Sequence, residues 1–249
     1  MLRYFINSLL ICLPMILSAQ ITGDSIQLPV DYKEKYGLRV GIDLSKPLRS
    51  TLDENYQGLE LVADFRISQK WYIAGELGTE EKTTLEDTYD FTTSGSYLKI
   101  GADWNMYDNW YGMQNIINLG LRAGISTFSQ TLNEYSIYTT NQYWQENTGT
   151  SDNTRLLGEY DGLSAQWAEV VVGVKVELFT NLFLGGSVRL HYLVNQTEAS
   201  EFPNLYIPGF NKVTDDSRFG VGYNYTLSYL IPIFKKDKPP KKDENTPQS

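Results

Sequence analysis

The sequence predicts an all-β chain folded as one eight-stranded antiparallel up-and-down transmembrane barrel around a polar, charged lumen. Three observations predict it. Eight segments alternate apolar and polar side chains with a period of two, the spacing of a strand whose two faces meet different surroundings. Most run to about ten residues or more, where a tilted membrane-crossing strand needs roughly 9–11 and an ordinary globular strand averages about 5–6. Short and long connections alternate along the chain, as in barrels with tight turns at one membrane face and long loops at the other. The 249 residues suit a single domain of this kind.

At the N-terminus, Arg3 precedes an apolar stretch from Leu9 to Leu17, broken only by Pro14, and Ser18, Ala19 and Gln20 follow. That order predicts a secretory signal peptide over residues 1–19, too short to span a bilayer as a helix. Cys12 lies inside the apolar stretch behind Leu10 and Ile11, which are too large for a lipoprotein cleavage site. Its removal leaves a chain without cysteine, so no disulfide framework is expected. No later stretch approaches the ~20 apolar residues of a spanning helix. Residues 20–35 read as a loosely held periplasmic segment, 36–234 as the barrel, and 235–249, rich in Lys, Asp and Pro, as a disordered tail.

The strands follow in order. About 36–45, Leu38, Val40 and Ile42 alternate with Arg39, Gly41 and Asp43. About 56–67, Leu59, Leu61, Ala63 and Phe65 alternate with Glu60, Val62, Asp64 and Arg66. About 71–80, Trp71, Ile73 and Leu77 oppose Tyr72, Ala74 and Glu76. About 95–105, Leu98, Ile100, Ala102 and Trp104 oppose Lys99, Gly101 and Asp103. About 116–128, Ile117 to Ile125 in alternate positions oppose Asn118, Gly120, Arg122 and Gly124. About 163–178, Ala168 to Leu178 in alternate positions oppose Trp167, Glu169, Lys175 and Glu177. About 182–194, Leu184, Val188, Leu190 and Tyr192 oppose Gly185, Ser187, Arg189 and His191. About 218–233, an aromatic-rich row from Phe219 to Ile233 opposes Gly220, Asn224, Thr226 and Ser228. The long polar links are 46–55, 81–94, 129–161 and 195–217, all at one end of the barrel.

The polar rows carry both signs of charge: Arg39, Arg66, Lys99, Arg122, Lys175 and Arg189 against Asp43, Glu60, Asp64, Glu76, Asp103, Glu169 and Glu177. The lumen of an eight-stranded barrel is filled by side chains, so these groups are expected to pair there as a plug. Glycines on the same rows would make room for them. The competing arrangement is a soluble lipocalin-like carrier with the apolar rows inside. Against it stand the glycines among the charges and the aromatics near strand ends (Trp71, Trp104, Trp110, Tyr223, Tyr229), which resemble interface girdles.

The net charge of −9 argues against nucleic acid as a partner. One histidine and no mature cysteine leave no metal constellation, no phosphate-binding glycine loop is present, and no cofactor is expected. An outer-membrane hydrolase would need His191 with Ser187 and Glu169 or Glu177, but Ser187 and His191 lie about 13 Å apart along one strand. In the longest link, Tyr135, Tyr138, Tyr143 and Trp144 stand among amides and hydroxyls, a composition that can stack on sugars; ordinary loop packing is the plainer expectation.

The stretches Tyr36–Pro47, Ser126–Leu132 and Asn204–Asn211, with the final strand, resemble an uncharacterised family of small outer-membrane barrel proteins from Bacteroidota. The resemblance covers about 36–234 and carries no known chemistry, so it transfers no site residue. It implies a bacterial outer-membrane location. The expected role is non-enzymatic anchoring or binding through outside loops, with outer-membrane lipid and the barrel assembly machinery as partners. A His191 hydrolase, a porin-like small-solute channel and a soluble carrier are the alternatives.

Overall fold

The computed structural model describes residues 33–86, 89–107, 114–135, 157–198, 203–212 and 217–237. The expected signal peptide, Trp110, Tyr138, Tyr143, Trp144 and residues 238–249 lie outside them. So does the side chain of Tyr135.

The strands are β1 (Lys33–Asp43), β2 (Tyr56–Arg66), β3 (Trp71–Leu85), β4 (Tyr89–Asn105), β5 (Ile116–Tyr135), β6 (Gly158–Phe179), β7 (Leu182–Thr197), β8 (Tyr206–Ile207), β9 (Asn211–Lys212) and β10 (Phe219–Asp237), with one helix, α1 (Ser45–Leu52). Strands β1 to β7 and β10 form a closed antiparallel barrel in which each pairs with its chain neighbours, and β10 closes the ring on β1. Closure leaves no free sheet edge, which a strand in a lipid surround cannot tolerate. The short β8–β9 hairpin stands apart from the ring.

The rows sort as the alternation predicts. Leu61, Val172 and Leu121 are 50%, 51% and 65% exposed on the outer surface, whereas Arg39, Lys99 and Glu169 are buried inside. A soluble protein does not expose an apolar band of this extent. Trp71 and Trp104 sit opposite one another near the short-turn end, and Tyr192, Phe219 and Tyr223 stand on the outer surface of β7 and β10.

Three boundaries differ from expectation. The link 81–94 shrinks to 86–88, because Thr79–Leu85 and Asp90–Ser96 continue the ladder as one hairpin. Strands β5 and β6 likewise extend to Tyr135 and from Gly158, with paired backbone along most of the extension. The barrel also takes in Lys33–Lys35 and Lys235–Asp237, which pair with each other. Pro232 therefore lies inside β10. It pairs opposite Gly37, where the register of β1 shifts between Tyr36 and Gly37, and a bulge is where a missing donor is tolerated.

Above the apolar band the outward rows of β3 to β6 change character, and so do the inward rows of β4 to β6. Outward positions become polar (Thr79, Glu81, Ser94, Ser96, Thr127, Gln166), and inward positions become apolar (Phe91, Phe128, Leu132, Leu163, Ala165). These four strands thus project past the band as a wall with a polar outer face and, on β4 to β6, a largely apolar inner one.

Inward glycines accommodate large neighbours. A methyl group on Gly124 would meet the Trp167 indole at 2.3 Å, and the indole is itself buried. Gly124→Ala is expected to cost about 1–3 kcal/mol by overpacking, read as a lower denaturant midpoint in unfolding experiments. A change below about 0.5 kcal/mol would mean that Trp167 has room to move.

Candidate functional site

The lumen is built in layers. Next to the short turns, Arg39 donates from Nε and Nη2 to Asp64 at 2.7–3.0 Å. Its guanidinium lies over the rings of Phe183 and Tyr72, at 4.7 and 5.6 Å from the centroids. Lys175 donates to the other side of Asp64 at 2.6 Å. Lower still, Arg66 pairs with Glu34 at 2.7 Å, donates to the turn carbonyls of Ser68 and Gln69, and lies over Tyr36.

The middle layer centres on Glu76. Arg189 donates to it at 2.5 and 3.0 Å and Arg122 at 3.4 Å, and the Lys99 ammonium lies 3.5 Å away. Arg122 also donates to Asp103 at 2.9 Å, and Arg189 to Glu169 at 3.1 Å. Lys99 donates to Glu60 at 3.3 Å. Glu169 further accepts from the Trp167 indole at 2.6 Å. Glu60, Glu76 and Glu169 thus each meet more than one donor, the condition under which buried charge persists as charge, while Asp103 is held by Arg122 through one oxygen.

In the next layer Glu60 accepts from the Tyr97 hydroxyl at 2.6 Å and from Asn224 at 2.8 Å. Asp43 accepts from Asn224, from Ser45 and from the Tyr225 backbone N–H. Glu80 accepts from the Tyr206 hydroxyl at 2.7 Å and the Gly209 N–H at 3.1 Å, and it pairs with Lys46. Glu80, Tyr206 and Lys46 were not singled out by the sequence reading. Glu80 continues the inward row of Glu76 and Gly78, which is the one signal that could have found it.

Over these layers lies an apolar cap. Ile207 and Phe210, from the β7–β10 connection, pack with Tyr97, Phe128, Leu163, Ala165, Trp167 and Leu193. His191 is 2% exposed under this cap. Its Nδ1 donates to the Phe210 carbonyl at 3.0 Å, and its Nε2 lies 3.7 Å from Glu169.

Of the sequence-selected charges, Asp43, Glu60, Glu76, Lys99, Asp103, Arg122, Glu169 and Arg189 form the connected middle and upper network. Arg39, Asp64 and Lys175 form a cluster beneath it. Arg66 belongs to the turn layer. Glu177 stands apart: it is only half-buried and accepts from the Asn181 backbone N–H at 2.9 Å, next to a turn in which Asn181 takes a left-handed φ of 67°. Its position near the end of β6 puts it on the hairpin rather than in the lumen. The space left among Arg39, Asp64, Arg122, Lys175 and Arg189 is a cavity of about 40 Å³, room for a few water molecules at most. Among the described residues no group of three or more His, Cys, Asp or Glu side chains is arranged to hold a metal ion.

The family model described as a domain of unknown function, DUF6048, matches residues 1–236. No curated protein matches the chain in sequence. Among solved structures, it is similar to Ail, the attachment invasion locus protein of Yersinia pestis, at 11% identity, covering 79% of this chain and 98% of that one with a TM-score of 0.39. A major outer membrane protein from Thermus thermophilus gives 14% identity, the same coverages and a TM-score of 0.39. CarO of Acinetobacter baumannii gives 12%, the same coverages and 0.38.

Proposed function

We propose that this protein, which belongs to the DUF6048 family, is a bacterial outer-membrane barrel that anchors its long connections at the cell surface and neither conducts solutes nor catalyses a reaction. One observation carries the reading: an apolar band faces outward around the ring while the ionised side chains pair inside it. In a lipid surround that arrangement satisfies both faces; in water it satisfies neither. Export would use the N-terminal segment 1–19, and the aromatic, alternating β10 is the element that the assembly machinery would engage.

Two features support a closed, non-catalytic barrel. The apolar cap covers the lumen, and the ion-paired layers beneath it leave a cavity of about 40 Å³ among their charges. The histidine a hydrolase would need is walled in by Phe210 and committed to its carbonyl oxygen. Any ligand chemistry at Tyr135, the last residue of β5, and at Tyr138, Tyr143 and Trp144 is part of the same anchoring proposal.

The test is membrane fractionation of the full-length chain, heat-modifiable gel mobility, and planar-bilayer recording. The expected result is recovery with outer-membrane lipid, a compact band that shifts on boiling, and no stepwise conductance. Recovery in the soluble periplasmic fraction would overturn the membrane assignment, and steady single-channel steps would overturn the closed lumen.

A further inference from the structure

The barrel wall has a notch at the edge of the apolar band. The β1–β2 ladder stops at Ile42↔Leu61, and the β1–β10 ladder stops at Asp43↔Thr226. Above those pairs, the start of β10 and the start of β2 have no strand between them. Helix α1 occupies the gap. Its entry is tied to β10 by the Leu44 N–H donating to the Tyr225 carbonyl at 2.6 Å. Its middle is tied to β2 by the Gly58 N–H donating to Ser50 Oγ at 3.0 Å. The helix turns Leu48 and Leu52, one turn apart, outward at 56% and 80% exposure.

Beside α1 a cavity of about 270 Å³ opens, lined by Lys46, Arg49, Tyr56, Lys82, Tyr206 and Tyr223, among others. Three cations line it, of which Lys46 pairs with the buried Glu80 and Arg49 lies 3.9 Å from the half-exposed Asp53, in a chain whose net charge is −9. Arg49 lies over the Tyr56 ring at 4.0 Å and Lys82 over the Tyr206 ring at 5.1 Å, contacts that hold both heads at the cavity. The opposite wall is Val221 and Tyr223, 68% and 64% exposed, and these continue the outward apolar row of β10. The outward rows of β2 and β3 turn polar nearby, at Gln57 and Thr79. The cavity therefore joins a cationic side to an apolar side where the band ends.

We propose that this notch binds the phosphate-bearing headgroup of an outer-leaflet lipid. Arg49 and Lys82 face the phosphate, Lys46 being paired with Glu80, and an acyl chain lies along Val221 and Tyr223. Cations at this depth favour anionic headgroups, and an exposed leucine pair on a short helix suits the boundary between headgroup and acyl chain. The site rests on the outer-membrane reading.

Native mass spectrometry of the full-length barrel, released from micelles doped with lipid A, tests it. Phosphorylated lipid A is expected to stay bound and dephosphorylated lipid A to be lost. The pair Arg49→Glu and Lys82→Glu should cut retention at least about tenfold, and the milder Arg49→Gln and Lys82→Gln should cut it less. Lys235→Glu with Lys236→Glu, at the opposite end of the barrel, should leave it unchanged. Equal retention of both lipids, or by the charge-reversed chain, would overturn the site, as would displacement by excess inorganic phosphate, which would reassign the cavity to a free anion. A chain with heat-modifiable mobility and no lipid preference sinks this site alone. A chain that never enters the micelle sinks the membrane reading along with it.

Discussion

Glu76→Ala is expected to destabilise the barrel by about 3–5 kcal/mol, the usual cost of removing one partner from a buried ionic cluster. Glu76 is 5% exposed and is approached by Arg189, Arg122 and Lys99. Arg122 retains Asp103, Arg189 retains Glu169, and Lys99 retains Glu60 and Glu169. Three cations would then share fewer carboxylates without access to bulk water. Denaturant unfolding in lipid vesicles, followed by the heat-modifiable band, measures the loss. Glu177→Ala is the matched comparison: Glu177 holds only a turn N–H, so its loss should cost about 1 kcal/mol. Equal effects at the two positions would mean that the inner charges are not organised around Glu76.

Val172→Arg should cost about 2–4 kcal/mol of stability in a bilayer, the penalty for a cation on the lipid face near mid-depth. Val172 is 51% exposed in the band and pairs with Leu119 and Val188 on its neighbours, both of which are also outward and apolar. Thr127→Arg, on the projecting part of β5 where the outward row is polar, should cost only about 0–1 kcal/mol, as near an interface. The contrast is measured by unfolding from vesicles. A barrel that tolerates arginine equally at both positions is not surrounded by lipid at Val172.

Both outcomes follow from rows that can be read directly in the sequence. Leu61, Val172 and Leu227 fall on one face and Arg39, Lys99 and Glu169 on the other because a strand puts successive side chains on opposite sides. That periodicity is local and survives without any knowledge of partners. The same signal carries the change in the rows beyond Leu77 and Ile125. There Thr127 and Ser129 alternate with Phe128 and Gln130, and the reading of 129–161 as loop passed over it. Polar residues at the outer positions end the apolar outer row there, not the strand, which pairs on to Leu132.

What no row could disclose is which side chains meet. Arg122 joins Glu76 across 46 residues, Arg189 joins Glu76 across 113, and Tyr206 reaches Glu80 across 126. Such pairings depend on register and on closure of β10 against β1, which are properties of the whole ring. The cap is of the same kind. Ile207 and Phe210 sit in a connection with no sustained alternation, and only the inner faces of β4 to β7, once side by side, give them an apolar surface to cover. The notch filled by α1 likewise arises because β1 ends at Asp43 while β2 and β10 both continue past its last pairs. By itself, the sequence determined the strands, their two faces and which face carries the charged row, since each depends on neighbours along the chain. Tertiary structure alone decided the ion-pair partners, the apolar cap and the cationic notch, since each is made by residues far apart in sequence that meet only once the sheet has closed.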